Sequence, residues 1–466
     1  MLASTLLIVK GVRLSRFVLA LHHVAPGEHV LYDVVGDRYV GVDGPTLEAI
    51  GRWSAAPPAG EDESRAAAEL MELRFVVRDR AEDDARLEEH RAAIAEGMPG
   101  TLYLTLMPTL ACDLACTYCF QRDHPAAGRM SAETEAAALA WIEREAVASG
   151  ARRLLLHYIG GEALLRKDFL LRTARALRGA LAARGIDFAW ELTTNGVGLD
   201  PAIVRQLSEH GPGAVKVTLD GDRPAHDAAR VSRDGRGTFD RIFGALLAVA
   251  GECPEVRLRV VGNLRRGPEA RASASRLLDQ LEAAGLCGRL EWIRFKPIVD
   301  LDAGCGRGCG AEPADADDAS REAFARGLVR TSPFGIDAVS PCELHWRRSF
   351  VVDTAGRIYR CFAVAGRPEM ALGTVHGGAL GPDPLLAGQP WGQCGDCPFV
   401  PACMGGCLGG RYLQIGRAGE IACDRPGLEA RFRAEIARRY LEEFHPGAAE
   451  PEPVAPTTLP VSEAAA

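Results

Sequence analysis

The chain has 466 residues, 47% of them hydrophobic and 25% charged, with a formal net charge of −8. That length holds two or three domains and a sizeable core, and the acidic balance excludes general nucleic-acid binding and attachment to an anionic membrane surface. The positive charge is almost all arginine, since only Lys10, Lys167, Lys216 and Lys296 are lysines; with so much Ala and Gly, this reads as a base-composition bias.

The apolar run at residues 6–9 is interrupted by Lys10, Arg13 and Arg16. It is too short for a membrane span and has no clear cleavage site, so no signal peptide is read there and a cytoplasmic location is expected. In that compartment the 14 cysteines are metal ligands rather than disulfides. None precedes Cys112 and seven fall between Cys342 and Cys423, which implies at least two metal regions.

Residues 1–95 read as a small α+β unit. Strands are predicted at 17–21, 29–35 and 39–42, helices at 44–53 and 61–73, and a returning strand at 75–77. The charged run 78–96 reads as a solvated helix that links to the next domain. Over 96–300 the pattern changes, and strands begin near Leu102, Leu154, Phe188, Ala214, Val256 and Leu290 with helical patterns between them. Ser131 offers an N-cap, and Gly150 and Gly185 sit where helices should stop. Strands alternating with helices imply an α/β fold with a parallel sheet, here a partial (β/α)6 barrel. Residues 301–340 form a Gly/Asp/Ala-rich connector, 341–440 a second cysteine-rich region, and 441–466 an Ala/Glu/Pro-rich tail expected to be disordered.

The unusual residues fall at the predicted strand ends. Cys112, Cys116 and Cys119, spaced C-x3-C-x2-C, follow the first strand. Gly160-Gly161-Glu162 follows the second, Thr193-Thr194-Asn195-Gly196 the third, and Thr218-Leu219-Asp220-Gly221 ends the fourth. β/α barrels build their sites at these ends, so the four segments should converge on one mouth. Three thiols on one loop are one short of the four that a cubic iron–sulfur cluster or a structural zinc site takes. The compact triad therefore suggests a cluster with one iron left open. A zinc site completed by His124 is the alternative.

The triad, with Tyr118 before its third cysteine, and the three later motifs in their order resemble the radical SAM enzyme family over residues 102–423. The resemblance implies that Cys112, Cys116 and Cys119 hold three irons of a [4Fe–4S] cluster whose fourth iron binds S-adenosylmethionine (SAM). Reductive cleavage of SAM then yields a 5′-deoxyadenosyl radical that abstracts hydrogen from the substrate. It also implies that the backbone at Gly160 and Gly161 approaches the methionine part and that Glu162 meets its ammonium. Thr194, Asn195 and Thr218 would face the ribose and carboxylate. Arg230, twelve residues past Thr218, would pair with the carboxylate, and Tyr118 would offer a backbone contact to adenine. Ala163 stands where the family usually has proline, which implies a slightly looser turn.

The second cysteine region, with Cys342, Cys361, Cys394, Cys397, Cys403, Cys407 and Cys423, resembles the SPASM extension of that family. The resemblance assigns Cys394, Cys397, Cys403 and Cys423 to one auxiliary [4Fe–4S] cluster and Cys342, Cys361 and Cys407 to another, three clusters in all. Seven thiolates are one short of eight, so one auxiliary iron is open or takes a ligand from outside, with Cys305 and Cys309 as candidates. A zinc ribbon is the alternative for this region. Cys253 and Cys287 read as packing residues.

The N-terminal order of elements resembles a RiPP recognition element, a winged-helix-like module that captures a precursor peptide by strand addition. Together these features imply a maturase that installs a thioether, C–C or C–O cross-link, or a related oxidation, on a ribosomally made peptide. An electron donor such as flavodoxin or ferredoxin would reduce the cluster. No nucleic-acid or membrane partner is expected. The runner-up is a sulfatase-type maturase that makes formylglycine. Those relatives carry Asp directly after the cysteine matching Cys361, where this chain has Phe362. A reading of another class is a non-catalytic iron–sulfur or zinc protein that binds peptide.

Overall fold

Alternating apolar residues place the strands, and side-chain caps place the helix starts. The computed structural model describes residues 11–121, 128–265, 267, 269–298, 313–331 and 341–446. It divides into two units, one drawn from residues 1–93, 391–406 and 423–466, the other from 94–390 and 407–422. Cys394, Cys397, Cys403 and Cys423 fall in the first unit and Cys342, Cys361 and Cys407 in the second. His124, Cys305 and Cys309, and most of the connector and tail, lie outside the described residues.

In the first unit, β1 (Arg13–Leu14) pairs antiparallel with β5 (Val76–Val77), while β2 (Val18–Ala25), β3 (Glu28–Asp33) and β4 (Arg38–Asp43) form an antiparallel sheet in that order. The helix Gly44–Trp53 starts where the Asp43 carboxylate accepts from the Thr46 amide at 2.9 Å, with proline in the first turn. Its apolar side meets the sheet and the helix Gly60–Glu72 in a core of Val12, Leu31, Leu47, Trp53, Leu70 and Phe75. These elements fall where the sequence predicts them, except β1, which two residues cannot signal.

The charged run departs from expectation. It is a helix, Arg80–Glu96, open to solvent over most of its length, but Asp83 and Arg86 are buried. Arg86 donates both bonds of a fork to Asp33, at 2.9 and 2.8 Å, and a third to the Arg74 carbonyl at 2.8 Å. Asp83 accepts from Ser15 Oγ at 2.5 Å. Composition hides this, because a buried pair and a solvated face use the same residue types.

The helix Arg425–Phe444 belongs to the same unit. Arg433 donates to the Ala20 carbonyl on β2 at 3.0 Å, and Tyr440 donates to Glu28 at 2.8 Å. Gly41 on β4 lies so close to Tyr440 that a Cβ there would sit 2.3 Å from its hydroxyl oxygen.

The second unit is built on six parallel strands in chain order, β6 (Thr101–Leu106), β7 (Arg153–Tyr158), β8 (Asp187–Thr194), β9 (Gly213–Thr218), β10 (Arg257–Leu264) and β11 (Leu290–Pro297). These strands match the six expected. Helices between them start at caps such as Ser131, which accepts from the Thr134 amide at 3.0 Å, and Asp200, which accepts from Ile203 at 2.9 Å. Gly150 and Gly185 follow helix ends in the left-handed conformation, at φ +63° and +69°. Leu102, Leu104, Leu154, Leu156, Val215, Val217, Val260 and Ile293 face the helices. Alternation therefore turns Tyr103, Thr105, His157, Glu191, Thr193, Lys216 and Arg259 to the opposite, concave face.

The sheet is wider than six strands. β12 (Ser349–Val352) joins β6 in parallel, and β13 (Arg357–Tyr359) and β14 (Gly373–Thr374) continue it antiparallel, giving nine. Strands of two to four residues carry too little alternation to be read from sequence. Among the described residues no helix is long and apolar enough to cross a membrane.

The buried Asp33–Arg86 pair yields a test. Arg86→Leu leaves Asp33 charged and buried with only the half-exposed Arg38 beside it. Breaking such a pair costs about 3–5 kcal/mol. Thermal or denaturant unfolding of the variant should show that loss, whereas a surface pair such as Arg65–Asp62 should cost under ~1 kcal/mol when broken.

Candidate active site

The loop after β6 carries Cys112, Cys116 and Cys119, and backbone bonds fix it from two sides. On one side the Gly161 amide donates to the Thr109 carbonyl at 3.0 Å and the Glu162 amide to Ala111 at 2.8 Å. On the other the Ala115 amide donates to Val231 at 2.8 Å and Thr117 to Ala229 at 3.0 Å, and Leu114 bridges Ser232. The loop is thus an irregular strand clamped between the segment after β7 and the segment around Arg230.

This clamp needs glycine. A Cβ on Gly160 would lie 2.2 Å from the Thr109 carbonyl oxygen, and one on Gly161 would lie 2.3 and 2.4 Å from those of Ala111 and Leu110. Neither partner is a side chain that can swing away. The glycine pair therefore seats the cysteine loop directly.

Glu162 is buried and accepts three bonds, from the Asn195 amide at 2.7 Å, Thr194 Oγ1 at 2.8 Å and the Leu164 amide at 2.9 Å. It ties the end of β7 to the end of β8. Burial raises its pKa to about 7 against the pull of these donors. Asn195 then reaches the cysteine loop, donating from Nδ2 to Asp113 at 2.6 Å and to the Cys112 sulfur at 3.6 Å. Burial pushes the Cys112 thiol up to about 11 and also raises Cys116, whose neighbour Arg230 pulls the other way.

A second network closes the far side. Tyr118 donates to Asp220, and Arg230 donates to the Tyr118 hydroxyl at 2.9 Å. Asn263, at the end of β10, donates to Asp220 from its backbone at 2.8 Å and from Nδ2 at 2.9 Å. Arg230 is buried, and its Nε has no hydrogen-bond partner among the described residues. Thr218 closes β9 on the concave face, paired with Val261. Gly160, Gly161, Glu162, Thr194, Asn195, Tyr118, Thr218 and Arg230 thus gather with the triad at the C-terminal ends of β6 to β10. Asp113 and Asn263 join them unannounced. The rule that polar residues at barrel strand ends build the site, applied to the fifth strand, would have found Asn263.

The set suits an iron–sulfur cluster and an amino-acid ligand. Cys112 and Cys116, whose charged form burial disfavours, would gain a counter-charge from bound iron. The buried guanidinium with an unused donor suits a carboxylate. Among the described residues no three His, Cys, Asp or Glu side chains close around a point as they would for a single metal ion.

The other cysteines form two groups, one in each unit. Cys342, Cys361 and Cys407 lie within electrostatic range of one another, and burial pushes the Cys361 thiol up to about 12. Water reaches Cys342, yet enough protein surrounds it that desolvation pushes its thiol up to about 11. Gly409 makes room here, since a Cβ would lie 2.6 Å from the Cys361 sulfur. In the first unit Cys394, Cys397, Cys403 and Cys423 are neighbours, with Cys394 pushed up to about 11 by burial and then by the other three thiols. Cys253 is buried in the barrel core and Cys287 is exposed.

The radical SAM superfamily matches residues 74–263. The serine-type anaerobic sulfatase-maturating enzyme of Klebsiella aerogenes is 27% identical over 201 residues, 42% of this chain and 47% of that relative, so the chain spans about half its length. The enzyme of the same name from Klebsiella pneumoniae is 25% identical over 329 residues, 64% of this chain and 79% of that one. The mycofactocin maturase MftC of Mycobacterium tuberculosis is 24% identical over 345 residues, 68% and 81% of the two chains. In three dimensions, native anSMEcpe with bound AdoMet and Cp18Cys peptide is similar in fold, with a TM-score of 0.56 at 20% identity over 73% of this chain and 99% of that one. The region that matches the radical SAM superfamily contains the clamped cysteine loop and the strand ends that face it.

Proposed function

We propose that this enzyme is a peptide maturase of the SPASM type, which takes hydrogen from a ribosomally made peptide and leaves a cross-link or related oxidation. The observation that carries the reading is the second and third sets of thiols beyond the radical SAM triad. Similarity to enzymes named as maturases supports it, as does a solved neighbour holding a peptide.

When bound, the cluster and SAM supply the 5′-deoxyadenosyl radical. The chain's own residues bind and orient. Cys112, Cys116 and Cys119 hold the cluster, and Arg230 takes the SAM carboxylate with its unused donor. A carboxylate has about four acceptor sites, and three on Glu162 are filled, which leaves one for the SAM ammonium. Thr194, Asn195 and Thr218 face the ribose and carboxylate, Gly160 and Gly161 the methionine part, and the backbone at Tyr118 the adenine. Cys394, Cys397, Cys403 and Cys423 hold one auxiliary [4Fe–4S] cluster, and Cys342, Cys361 and Cys407 hold another that is one ligand short. Bound at these thiols, such clusters would offer redox sites for the electron that cross-linking leaves, and a flavodoxin or ferredoxin would be the electron donor for the triad. The edge strand β4 of the N-terminal sheet takes the leader of the precursor by strand addition.

The sulfatase-maturase reading has the named relatives in its favour. Against it stands Phe362, where the formylglycine-forming family places an aspartate base. Phe362 is exposed and meets the exposed Phe120 edge to face, with centroids 5.9 Å apart. A phenyl ring in that place accepts no proton.

Co-expression with a short peptide encoded beside the gene, followed by mass spectrometry, should show a loss of about two hydrogens per product and no aldehyde trapped by hydrazine. An unmodified peptide with intact SAM cleavage contradicts the maturase reading, and a trapped aldehyde favours the sulfatase-type one. Three clusters of four irons predict about twelve irons per chain after anaerobic reconstitution. Replacing Cys112, Cys116 and Cys119 with Ala should abolish 5′-deoxyadenosine and leave roughly eight irons. Persistent cleavage in that variant would contradict the assignment.

A further inference from the structure

We propose that the four-thiol site of the first unit is a structural staple of the N-terminal module. Loading Cys394, Cys397, Cys403 and Cys423 with their cluster orders the sheet that takes the precursor, so peptide capture is conditional on iron. The proposal rests on the reading above for the group at these thiols and for the peptide at β4. The contacts within this unit carry the rest.

Residues 391–406 hold three of the four thiols and belong to the same compact unit as residues 1–93. They have little regular structure, only a 3₁₀ turn at Pro390–Cys394 and a turn of α-helix at Val400–Cys403. Directly after Cys403 the chain runs through three left-handed residues, Met404, Gly405 and Gly406, at φ +47°, +88° and +79°. That conformation costs a residue with a side chain free energy. A segment built this way keeps its shape only where it is packed or cross-linked.

The segment is nevertheless part of the module's interior, since Phe399, Val400, Ala402 and Met404 are buried. Phe399, between Cys397 and Cys403, meets Phe432 of the helix Arg425–Phe444 with ring centroids 5.2 Å apart, and Phe432 meets Tyr32 of β3 at 6.0 Å. Cys423 immediately precedes Asp424, which caps the same helix by accepting from the Gly427 amide at 3.3 Å. The helix Arg80–Glu96 holds the segment as well. His90 donates from Nε2 to the Pro401 carbonyl at 3.1 Å, and the Arg91 guanidinium lies 4.5 Å from the centre of the Trp391 ring. Arg80 pairs with Asp396, between Cys394 and Cys397, and Arg16 lies 3.5 Å from that carboxylate.

The same helix grips the sheet. Asp83 accepts from the Arg16 amide at 3.1 Å, and the Arg86 fork holds Asp33 at the end of β3, opposite Arg38 of β4. The thiol segment thus touches both helices that brace β2 to β4. The Asp396 pairs are exposed and contribute little, so the buried aromatic chain and the His90 bond carry the coupling. A group that binds only the folded arrangement of the thiols stabilises everything that must fold with it. Here that includes both helices and the sheet between them.

Hydrogen exchange read by mass spectrometry tests this linkage on anaerobically reconstituted enzyme. The Cys394→Ser/Cys397→Ser variant should carry about four irons fewer than the wild type. Peptides covering 18–43, 80–93 and 425–444 should exchange about tenfold faster in it, with the barrel strands 101–106 and 153–158 unchanged. Cys342→Ser/Cys361→Ser should lose as much iron and leave those three regions protected. After chelation of all iron, wild type and Cys394→Ser/Cys397→Ser should exchange alike, which assigns the difference to the cluster rather than to the serines. The fluorescently labelled peptide encoded beside the gene should bind the wild-type holoenzyme about tenfold more tightly than the Cys394→Ser/Cys397→Ser variant. Equal protection or equal peptide affinity in those two forms overturns the proposal. So does an equal loss of protection in Cys342→Ser/Cys361→Ser, or a difference that persists after chelation. Unchanged iron in Cys394→Ser/Cys397→Ser overturns the cluster assignment and the proposal with it. A peptide that binds neither form counts against the peptide-capture reading alone, because the exchange measurement needs no peptide.

Discussion

The seating of one loop governs the rest of the site. A segment with three cysteines has no regular structure of its own, and its backbone groups must find partners if it is to hold a fixed shape. It finds them on both flanks, in the glycine pair after β7 and in residues 229–231 before the helix Phe239–Glu252. The approach at Gly160 and Gly161 is closer than any side chain permits. The order and polarity of the parallel strands bring these flanks to one end of the sheet, so the fold contributes to the site chiefly by fixing the backbone of this loop.

The side chains around the loop share a second constraint. Glu162, Asp220, Arg230 and Lys216 are ionisable groups inside protein, and each is satisfied to a different degree. Glu162 has three donors, Asp220 has Tyr118 and Asn263, Arg230 keeps an unused Nε, and Lys216 has no partner among the described residues. Incomplete satisfaction is expensive in a structure that only folds, and common in one whose remaining partners arrive as ligands.

Much of this was legible in the sequence. Six strands, their helices and the four motifs at strand ends follow from period-two alternation, caps and glycine positions, because those signals are local. The misses have physical causes. β12 to β14 are too short to show a period, and the Asp33–Arg86 pair joins residues 53 positions apart that composition alone assigns to solvent. In the sequence Lys216 and Lys296 stand out only as two of four lysines. In an alternating strand a lysine reads as the wet face, and only closure of the sheet into a barrel turns that face into an interior. Asn263 was missed because a single asparagine has no spacing to mark it.

Electron paramagnetic resonance of the reduced, reconstituted enzyme tests the central claim, that the clamped triad leaves one iron open for SAM. Adding SAM should change the g values of one cluster signal and leave any other cluster signal as it was, since SAM is proposed to bind at the triad cluster alone. A spectrum unchanged by SAM at saturating concentration, in protein that carries its full iron, would contradict the account.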